Sequence, residues 1–265
     1  MFRNIPEHFL VVTLNHRTVS IDQLYQFSIP EEWMHDLLLA FQSAPSIKEV
    51  AGLCTCNRTE FYAAVHSVKD AAHAIVHILS ERLGVSLESM RQGMDVIVDA
   101  EAVEHLFRLA AGLESMVVGD AQILGQVKAA YQFSESLNLA GKIFHHLFPK
   151  AFSMAKRVRH QTGLGKGRVS VSALAVECAR QFFVSTDTLV ATVVGAGKMG
   201  RLSAKYLCDA GCKEIRIVNR SVDKSLQLAQ EVGGIAYNFD EIATALAGSQ
   251  LVISSTAAKS PIITK

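Results

Sequence analysis

The sequence is poor in several features that mark large classes of protein. Its 265 residues include one tryptophan, five prolines and five cysteines. The cysteine count is odd, and a chain of this length buries a core without covalent staples, so no disulfide framework is indicated. A dominant sign of charge is also missing. Lys and Arg total 26 against 25 Asp and Glu, a formal net charge of +1. No global field marks a nucleic-acid binder, and such a partner would need a local basic patch. No apolar run approaches the roughly 18 residues of a membrane span. The opening MFRNIPEHFLVV has neither the apolar stretch nor the small-residue cleavage site of a signal peptide. A soluble, cytoplasmic protein is expected. Hydrophobic residues make up 49% and charged residues 19%, a globular composition with material for one large or two ordinary domains.

Apolar periodicity predicts a strand over 9–16 and helices over 29–41, 70–84, 101–117, 120–134 and 143–163, the last despite Pro149. Two short extended segments around a polar centre are expected over 50–65. After the loop GLGKG (163–167) and a helix over 171–183, the pattern changes. Strands at 189–197, 214–221 and 250–257 alternate with helices at 198–211 and 222–233. That alternation predicts a doubly wound parallel sheet. The expected fold class is α/β, with an N-terminal α+β unit over 1–163 and a Rossmann-like unit over 164–265.

VVGAGKMGRLSAKYL places G-x-G-x-x-G at Gly195, Gly197 and Gly200, between a predicted strand and a predicted helix. This is the context a dinucleotide fingerprint requires. Gly195 permits the tight turn, Gly197 lets the backbone approach a pyrophosphate, and Gly200 allows close helix packing. Ala196, Lys198 and Met199 complete the loop, whose helix N-terminus favours phosphate. NAD binders usually place an acid at the end of the next strand. Here Asn219, Arg220 and Ser221 stand there, a set suited to a 2′-phosphate, so NADPH is the expected cofactor.

LCTCNRTE (53–60) concentrates two cysteines beside a cation. In an extended segment Cys54 and Cys56 share a face. A disulfide between them would be strained, and zinc would need further ligands. Core packing and a nucleophile both remain open. Arg58 can stabilise a thiolate at Cys56 or clamp a carboxylate. His73 and His77 lie four apart on one helix without a third ligand, so a surface face is expected and no metal site. Cys178, Cys208 and Cys212 are expected to be buried small hydrophobes.

CTCNRTEFY is similar to the S-T-C-N-R-x-E-hydrophobic-Y signature of the glutamyl-tRNA reductase family. NHRT (15–18), HLFRLAAGLESMVVGDAQILGQVKAAY (105–131), KAFSMAKRVRHQTGLGKGRVSVSALAVE (150–177), VGAGKMG and VNRS resemble its other motifs, across nearly the whole chain. The resemblance implies NADPH-dependent reduction of glutamyl-tRNA(Glu) to glutamate-1-semialdehyde through a cysteine thioester. This is the first step of the five-carbon route to tetrapyrroles, with hand-over to an aminomutase. It implies Cys56 as nucleophile and His105 as a catalytic histidine. Thr55, Asn57, Arg58, Ser115, Asp120, Ala121, Gln122 and Gln126 fall on substrate positions. The run Lys150, Lys156, Arg157, Arg159 is either a solvated helix face or a contact for tRNA phosphates.

Cys54 stands where the family usually has Ser, and Asp120-Ala121 stands for a common Glu-Pro. The family continues past PIITK (261–265) into the rest of the cofactor sheet and a C-terminal domain that makes a homodimer. Residues 168–265 are therefore expected to be weakly stable, and a monomer is expected. The alternative readings are a non-catalytic or truncated relative serving as a dinucleotide- or partner-binding module, and an unrelated NADP-dependent dehydrogenase.

Overall fold

A computed structural model describes residues 8–15, 17–120, 122–165, 171–183, 187–256, 258 and 260–263. The chain divides into two compact units, Met1–Gly167 and Arg168–Lys265.

The first unit contains β1 (His8–Asn15), α1 (Ile21–Gln26), α2 (Met34–Gln42), β2 (Ile47–Thr55), β3 (Arg58–Val65), α3 (Val68–Leu83), α4 (Leu87–Gly93), β4 (Asp95–Val98), α5 (Asp99–Ala111), α6 (Gln122–Ser136) and α7 (Lys142–Thr162). Its sheet has the order β2-β3-β1-β4 with antiparallel neighbours. Strand alternation sorts the side chains into two cores. Leu10, Val12, Leu14, Phe61 and Ala63 pack with Phe41, Ile75 and Leu79 of α2 and α3. Phe9, Val11, Tyr62 and Ala64 pack with Leu106, Val127, Phe144 and Phe148 of α5, α6 and α7. Helices cover both faces, so every residue of β3 is buried. Charged residues in such a strand must find partners inside the protein.

Local chemistry sets the helix ends. Ser67 accepts the Asp70 N–H at the start of α3, and Gly84, at φ 64°, ends it. The helix predicted to run to 117 stops at Ala111, because Gly112 adopts the left-handed conformation at φ 88°. The segment 112–120 is thereby a loop. Helix α7 continues through Pro149. A proline inside a helix costs about 3 kcal/mol, and burial of Phe144, Phe148, Ala151 and Ala155 offsets it. Glu49, 5% exposed, caps the start of α7. Its carboxylate accepts the N–H groups of Gly141 (3.0 Å), Ile143 (3.0 Å) and Phe144 (2.8 Å). His73 and His77 lie on an exposed face of α3, ring centroids 5.9 Å apart.

The second unit contains α8 (Val171–Arg180), β5 (Val190–Val194), α9 (Lys198–Asp209), β6 (Glu214–Asn219), α10 (Val222–Val232), β7 (Ile235–Asn238), α11 (Ile242–Leu246) and β8 (Leu251–Ser254). Its sheet is parallel throughout, in the order β7-β6-β5-β8. The whole is a mixed α/β chain with a Rossmann-like second unit. The expectation of buried cysteines is corrected here. Cys178 and Cys208 are exposed. α8 buries Ser172, Ala173, Val176 and Ala179, and α9 buries Gly200, Ser203, Ala204 and Leu207, so both thiols fall outside the inward stripe. Cys212 is half-buried, and burial pushes its thiol up. Among the described residues no helix is long and apolar enough to cross a membrane.

Candidate functional site

β2 ends at Thr55 and β3 begins at Arg58, which pairs across with Thr55. Cys56 and Asn57 therefore form the turn of a tight hairpin. The Thr55 hydroxyl accepts the Asn57 N–H at 3.2 Å, bracing that turn. Strict alternation stops at Thr55, so the expected common face of Cys54 and Cys56 does not carry through. The Cys54 thiol lies 3.5 Å from both the Ile29 carbonyl and the Thr59 hydroxyl, half-buried at the edge of one core. Cys56 is exposed, and both thiols are free.

Beyond the turn, Arg58, Glu60 and Tyr62 point to the α5 side by the same alternation. Glu60 is fully buried. Its carboxylate accepts hydrogen bonds from Arg58 Nη1 at 2.6 Å, from Thr13 Oγ1 at 3.2 Å and from the Tyr62 hydroxyl. His105 of α5 places Nε2 3.1 Å from each carboxylate oxygen. Burial would push the Glu60 carboxyl up. The hydrogen bond and charge of His105, the Arg58 charge and the Tyr62 hydroxyl reverse this and hold it at about 2. Burial and the Glu60 charge push the Tyr62 phenol well up. Glu60 was not singled out from the sequence. Its signal was a lone carboxylate inside the apolar strand RTEFYAAV.

The expectation that Arg58 favours a Cys56 thiolate is not met. Arg58, 3% exposed, turns inward to Glu60 and gives its Nη2 to the Glu114 carbonyl. The Cys56 thiol is pushed up instead. Although the residue is exposed at the turn, the protein atoms packed around it desolvate the sulfur; this is the main cause, and the charges of Asp120 and Cys54 add to it.

The loop 112–120 closes over this cluster. Its Gly119 N–H bonds the Gly112 carbonyl at 2.9 Å. The Glu114 carboxylate receives Arg108 Nε at 2.6 Å and the Arg17 guanidinium. Burial would raise this carboxyl, but Arg108 and Arg17, with a smaller part from His105, hold it low. Ser115 is half-buried in the loop, not on a helix. Asp120 accepts the Gln122 N–H at 2.9 Å and gives its carbonyl to Arg159. Gln122 opens α6 and Gln126 follows one turn on, both half-buried. Ala121 and His16 lie outside the described residues. Gly119 and Gly165 touch backbone to backbone. A Cβ on Gly119 would meet Gly165 N at 2.9 Å, and one on Gly165 would meet the Gly119 carbonyl at 2.8 Å. A cavity of about 360 Å³ is lined by Arg17, Arg58, His105, Glu114, Thr13 and Asn15. Arg58 and His105 thus meet in one cleft. Cys56 feels Asp120, whereas His105 is bonded to Glu60 rather than to Cys56.

In the second unit the glycine loop joins β5 to α9. Gly195 has φ 104°, and a Cβ there would meet the Ser255 carbonyl at 2.0 Å. A Cβ on Gly200 would lie 1.8 Å from the Gly195 carbonyl. Gly200 thus admits the loop's own backbone, more than the sheet. A Cβ on Gly197 would face open space, and no side chain caps α9. The start of this helix, at Lys198, carries the partial positive charge that favours an anion. Asn219 ties the loop to β6. It accepts the Ala196 N–H at 3.2 Å and donates to the Ser221 carbonyl at 3.1 Å. The Met199 carbonyl accepts the Ser172 hydroxyl at 3.2 Å. A cavity of about 270 Å³ opens here, lined by Gly195, Gly197, Asn219, Arg220, Lys224 and Phe239. The Arg220 guanidinium sits 5.6 Å over the Phe239 ring, and Ser221 precedes α10. Lys224 and Phe239 escaped the sequence reading because each lies an element beyond the motif. Two glycines without room for a Cβ, a helix with no side-chain cap, and Arg220 and Lys224 lining the same cavity fit a dinucleotide.

Comparison with known proteins agrees with both halves. Residues 12–162 match the family described as "Glutamyl-tRNAGlu reductase, N-terminal domain". Residues 177–265 match "Shikimate / quinate 5-dehydrogenase". That dehydrogenase-type match supports a nicotinamide dinucleotide as the cofactor. Glutamyl-tRNA reductase of Carboxydothermus hydrogenoformans is 41% identical over 258 residues, 97% of this chain and 58% of that protein. The Oceanobacillus iheyensis protein of the same name is 36% identical over 258 residues, 97% of this chain and 56% of its own length. The solved glutamyl-tRNA reductase of Methanopyrus kandleri superposes with a TM-score of 0.55 at 33% identity, over 96% of this chain and 60% of that one. The chain thus spans a little over half the length of these relatives. With more than half of its length matched by that N-terminal family and relatives of the same name alike over nearly all of it, the chain belongs to the glutamyl-tRNA reductase family.

Proposed function

We propose that this chain carries the chemistry of NADPH-dependent reduction of glutamyl-tRNA(Glu) to glutamate-1-semialdehyde, in the cytoplasm, with the aldehyde passing to an aminomutase. The observation that carries the reading is the hairpin. It presents Cys56 at an exposed turn and roots that turn in the buried Arg58–Glu60–His105 cluster.

The Cys56 sulfur attacks the α-ester carbonyl of the glutamyl group. A thioester forms and the ribose oxygen of the tRNA leaves. Because the thiol is pushed up, it needs a base. Glu60 accepts from His105 Nε2 and leaves Nδ1 to take that proton and return it to the leaving oxygen. When bound, NADPH supplies a hydride that turns the thioester into aldehyde and releases the thiolate. Arg58 has N–H groups beyond those given to Glu60 and Glu114, and these hold the glutamyl side-chain carboxylate. Thr55 and Asn57 brace the turn. Ser115, Asp120, Gln122 and Gln126 line the approach to it, and Ala121 falls within the same stretch. Arg220, Ser221 and Lys224 select the 2′-phosphate.

The test is intact-mass and peptide mapping after brief mixing with glutamyl-tRNA in the absence of NADPH. A glutamyl adduct on Cys56, lost in Cys56→Ser, is expected. Its absence would remove the thioester route. For the cofactor, Arg220→Ala is expected to raise the Kd for NADPH about tenfold and leave that for NADH unchanged.

A further inference from the structure

The solvent face of α7 has no counter-charge of its own. None of its 21 residues, KIFHHLFPKAFSMAKRVRHQT, is acidic. Lys142, His145, His146, Lys150, Lys156, Arg157 and His160 are all exposed. At 100° per residue they fall within an arc of about 140° and a length of about 27 Å. Phe144, Phe148, Ala151 and Ala155 occupy the opposite, buried side. Among the described residues, Lys142, Lys150, Lys156 and Arg157 make no ion pair. The face meets one carboxylate, Glu135 of α6, 3.8 Å from His145. The other neighbouring acids are Glu49, buried as the cap of the helix start, Asp120, whose carbonyl takes Arg159, and on α5 Asp99, paired with His8, and Glu104, paired with Arg108, together with Glu101. Elsewhere in the unit Arg17, Arg58, Arg82 and Arg108 each meet a carboxylate, and the cations with no ion pair among the described residues, such as Lys48, Lys69 and Lys128, stand singly along the chain rather than in a run. Lys150 Nζ donates to the His146 ring at 2.7 Å, a contact that supplies no counter-charge to the lysines and arginine of this face. A surface that keeps them is electrostatically incomplete without an anion.

The position of the stripe indicates which anion. Arg159 is the basic residue that leaves the face. It turns inward and gives Nη2 to the Asp120 carbonyl, in the loop whose Asp120 charge reaches Cys56. Lys156, Arg157 and His160 lie within one turn of Arg159. The cationic track therefore starts beside the hairpin site and runs away from it. Among the described residues this face exposes no large apolar side chain, which disfavours a lipid surface.

We propose that the solvent face of α7 is the docking surface for the RNA backbone of the aminoacyl-tRNA. Lys150, Lys156 and Arg157 neutralise phosphates while the esterified end reaches Cys56. The proposal rests on the function above. Phosphate contacts of this kind set affinity and register without reading bases.

The test measures binding of deacylated tRNA(Glu) by filter retention across a salt series. Three forms of the full 265-residue chain are compared: wild type, K150Q/K156Q/R157Q, and the charge-matched control K48Q/K69Q/K213Q. All six positions are exposed. The α7 variant is expected to bind at least tenfold more weakly at low salt. Its log–log salt slope should be shallower by about one for each cation removed, with the control near wild type. Acylation of Cys56 by a small glutamyl ester, which has no phosphates, should be equal in all three. Unchanged affinity and slope in the α7 variant, equal weakening in both variants, or no binding by wild type would overturn the proposal. Failure of the small ester to acylate wild type would instead count against the thioester reading and leave the RNA result to stand.

Discussion

Glu60 shows how one buried carboxylate organises a site. It holds Arg58, His105 and Tyr62 in fixed positions with no water to share the charge. Its carboxyl is held at about 2 when folded, against roughly 4.3 when unfolded. The folded value is the lower one, so its stabilisation is complete above about pH 4.3 and is lost as pH falls towards 2. The difference corresponds to about 3 kcal/mol. Denaturant melts between about pH 6 and pH 3 should show this slope in wild type and lose it in Glu60→Gln. That variant should also be less stable at neutral pH by about 3–5 kcal/mol, since it leaves Arg58 buried without its counter-charge. Cys56 titrates in the opposite sense. Its thiol is pushed up, and the thiolate is the attacking form. In His105→Gln, which lacks the base, acylation by a small glutamyl ester should therefore be slower than wild type near pH 7 and climb to about pH 9 without levelling. A plateau near neutrality would show that another group lowers the thiol once substrate binds. The cysteine, the arginine and the histidine were legible from the sequence. Their common partner was not, because Glu60 and His105 are 45 positions apart and only the β3–α5 packing joins them.

At the scale of elements, long periodic helices and the glycine loop were readable, and short pieces were not. β4 and β7 have four residues each, too few for alternation to register, whereas β8, equally short, was read from its place in the strand–helix alternation. α5 was read six residues too long because Gly112 ends it through its backbone conformation, not its polarity. The start of α7 was read to within one residue, but its cap was hidden, since it comes from Glu49, over 90 positions earlier. Glu49→Ala should leave three N–H groups at a buried helix start without acceptors, at a cost of about 2–4 kcal/mol. Urea unfolding measures this. Glu49→Gln, which keeps acceptor oxygen on one side, should recover part of the loss. An unchanged midpoint in Glu49→Ala would show that water replaces the cap. The same helix explains why Arg159 was grouped with its exposed neighbours. The sequence displays a basic run, and only packing separates the one guanidinium that turns inward.

For the whole molecule, the two units have unequal resources. The first has a core on each face of its sheet. The second has one main core and a small cluster around Val194, Val218 and Ala245. Calorimetry should resolve two transitions, the lower belonging to residues 168–265. NADPH at about 100 times its Kd should raise only that one, by about 2.7 kcal/mol of stability. A single transition unmoved by NADPH would contradict both the independence of the units and the assignment of the cofactor site. The contact between Gly119 and Gly165 bears on chimaera design. The match to the N-terminal family ends at residue 162, an inviting splice point for exchanging cofactor units between relatives. A joint there would replace Leu164 and Gly165, the residues against which Gly119 is seated. Any side chain at 165 would lever the 112–120 loop off Arg58 and Arg159. Hybrids joined after Gly165 should keep the hairpin chemistry of the parent, and those joined at 162 should keep it only where the incoming unit places glycine at 165.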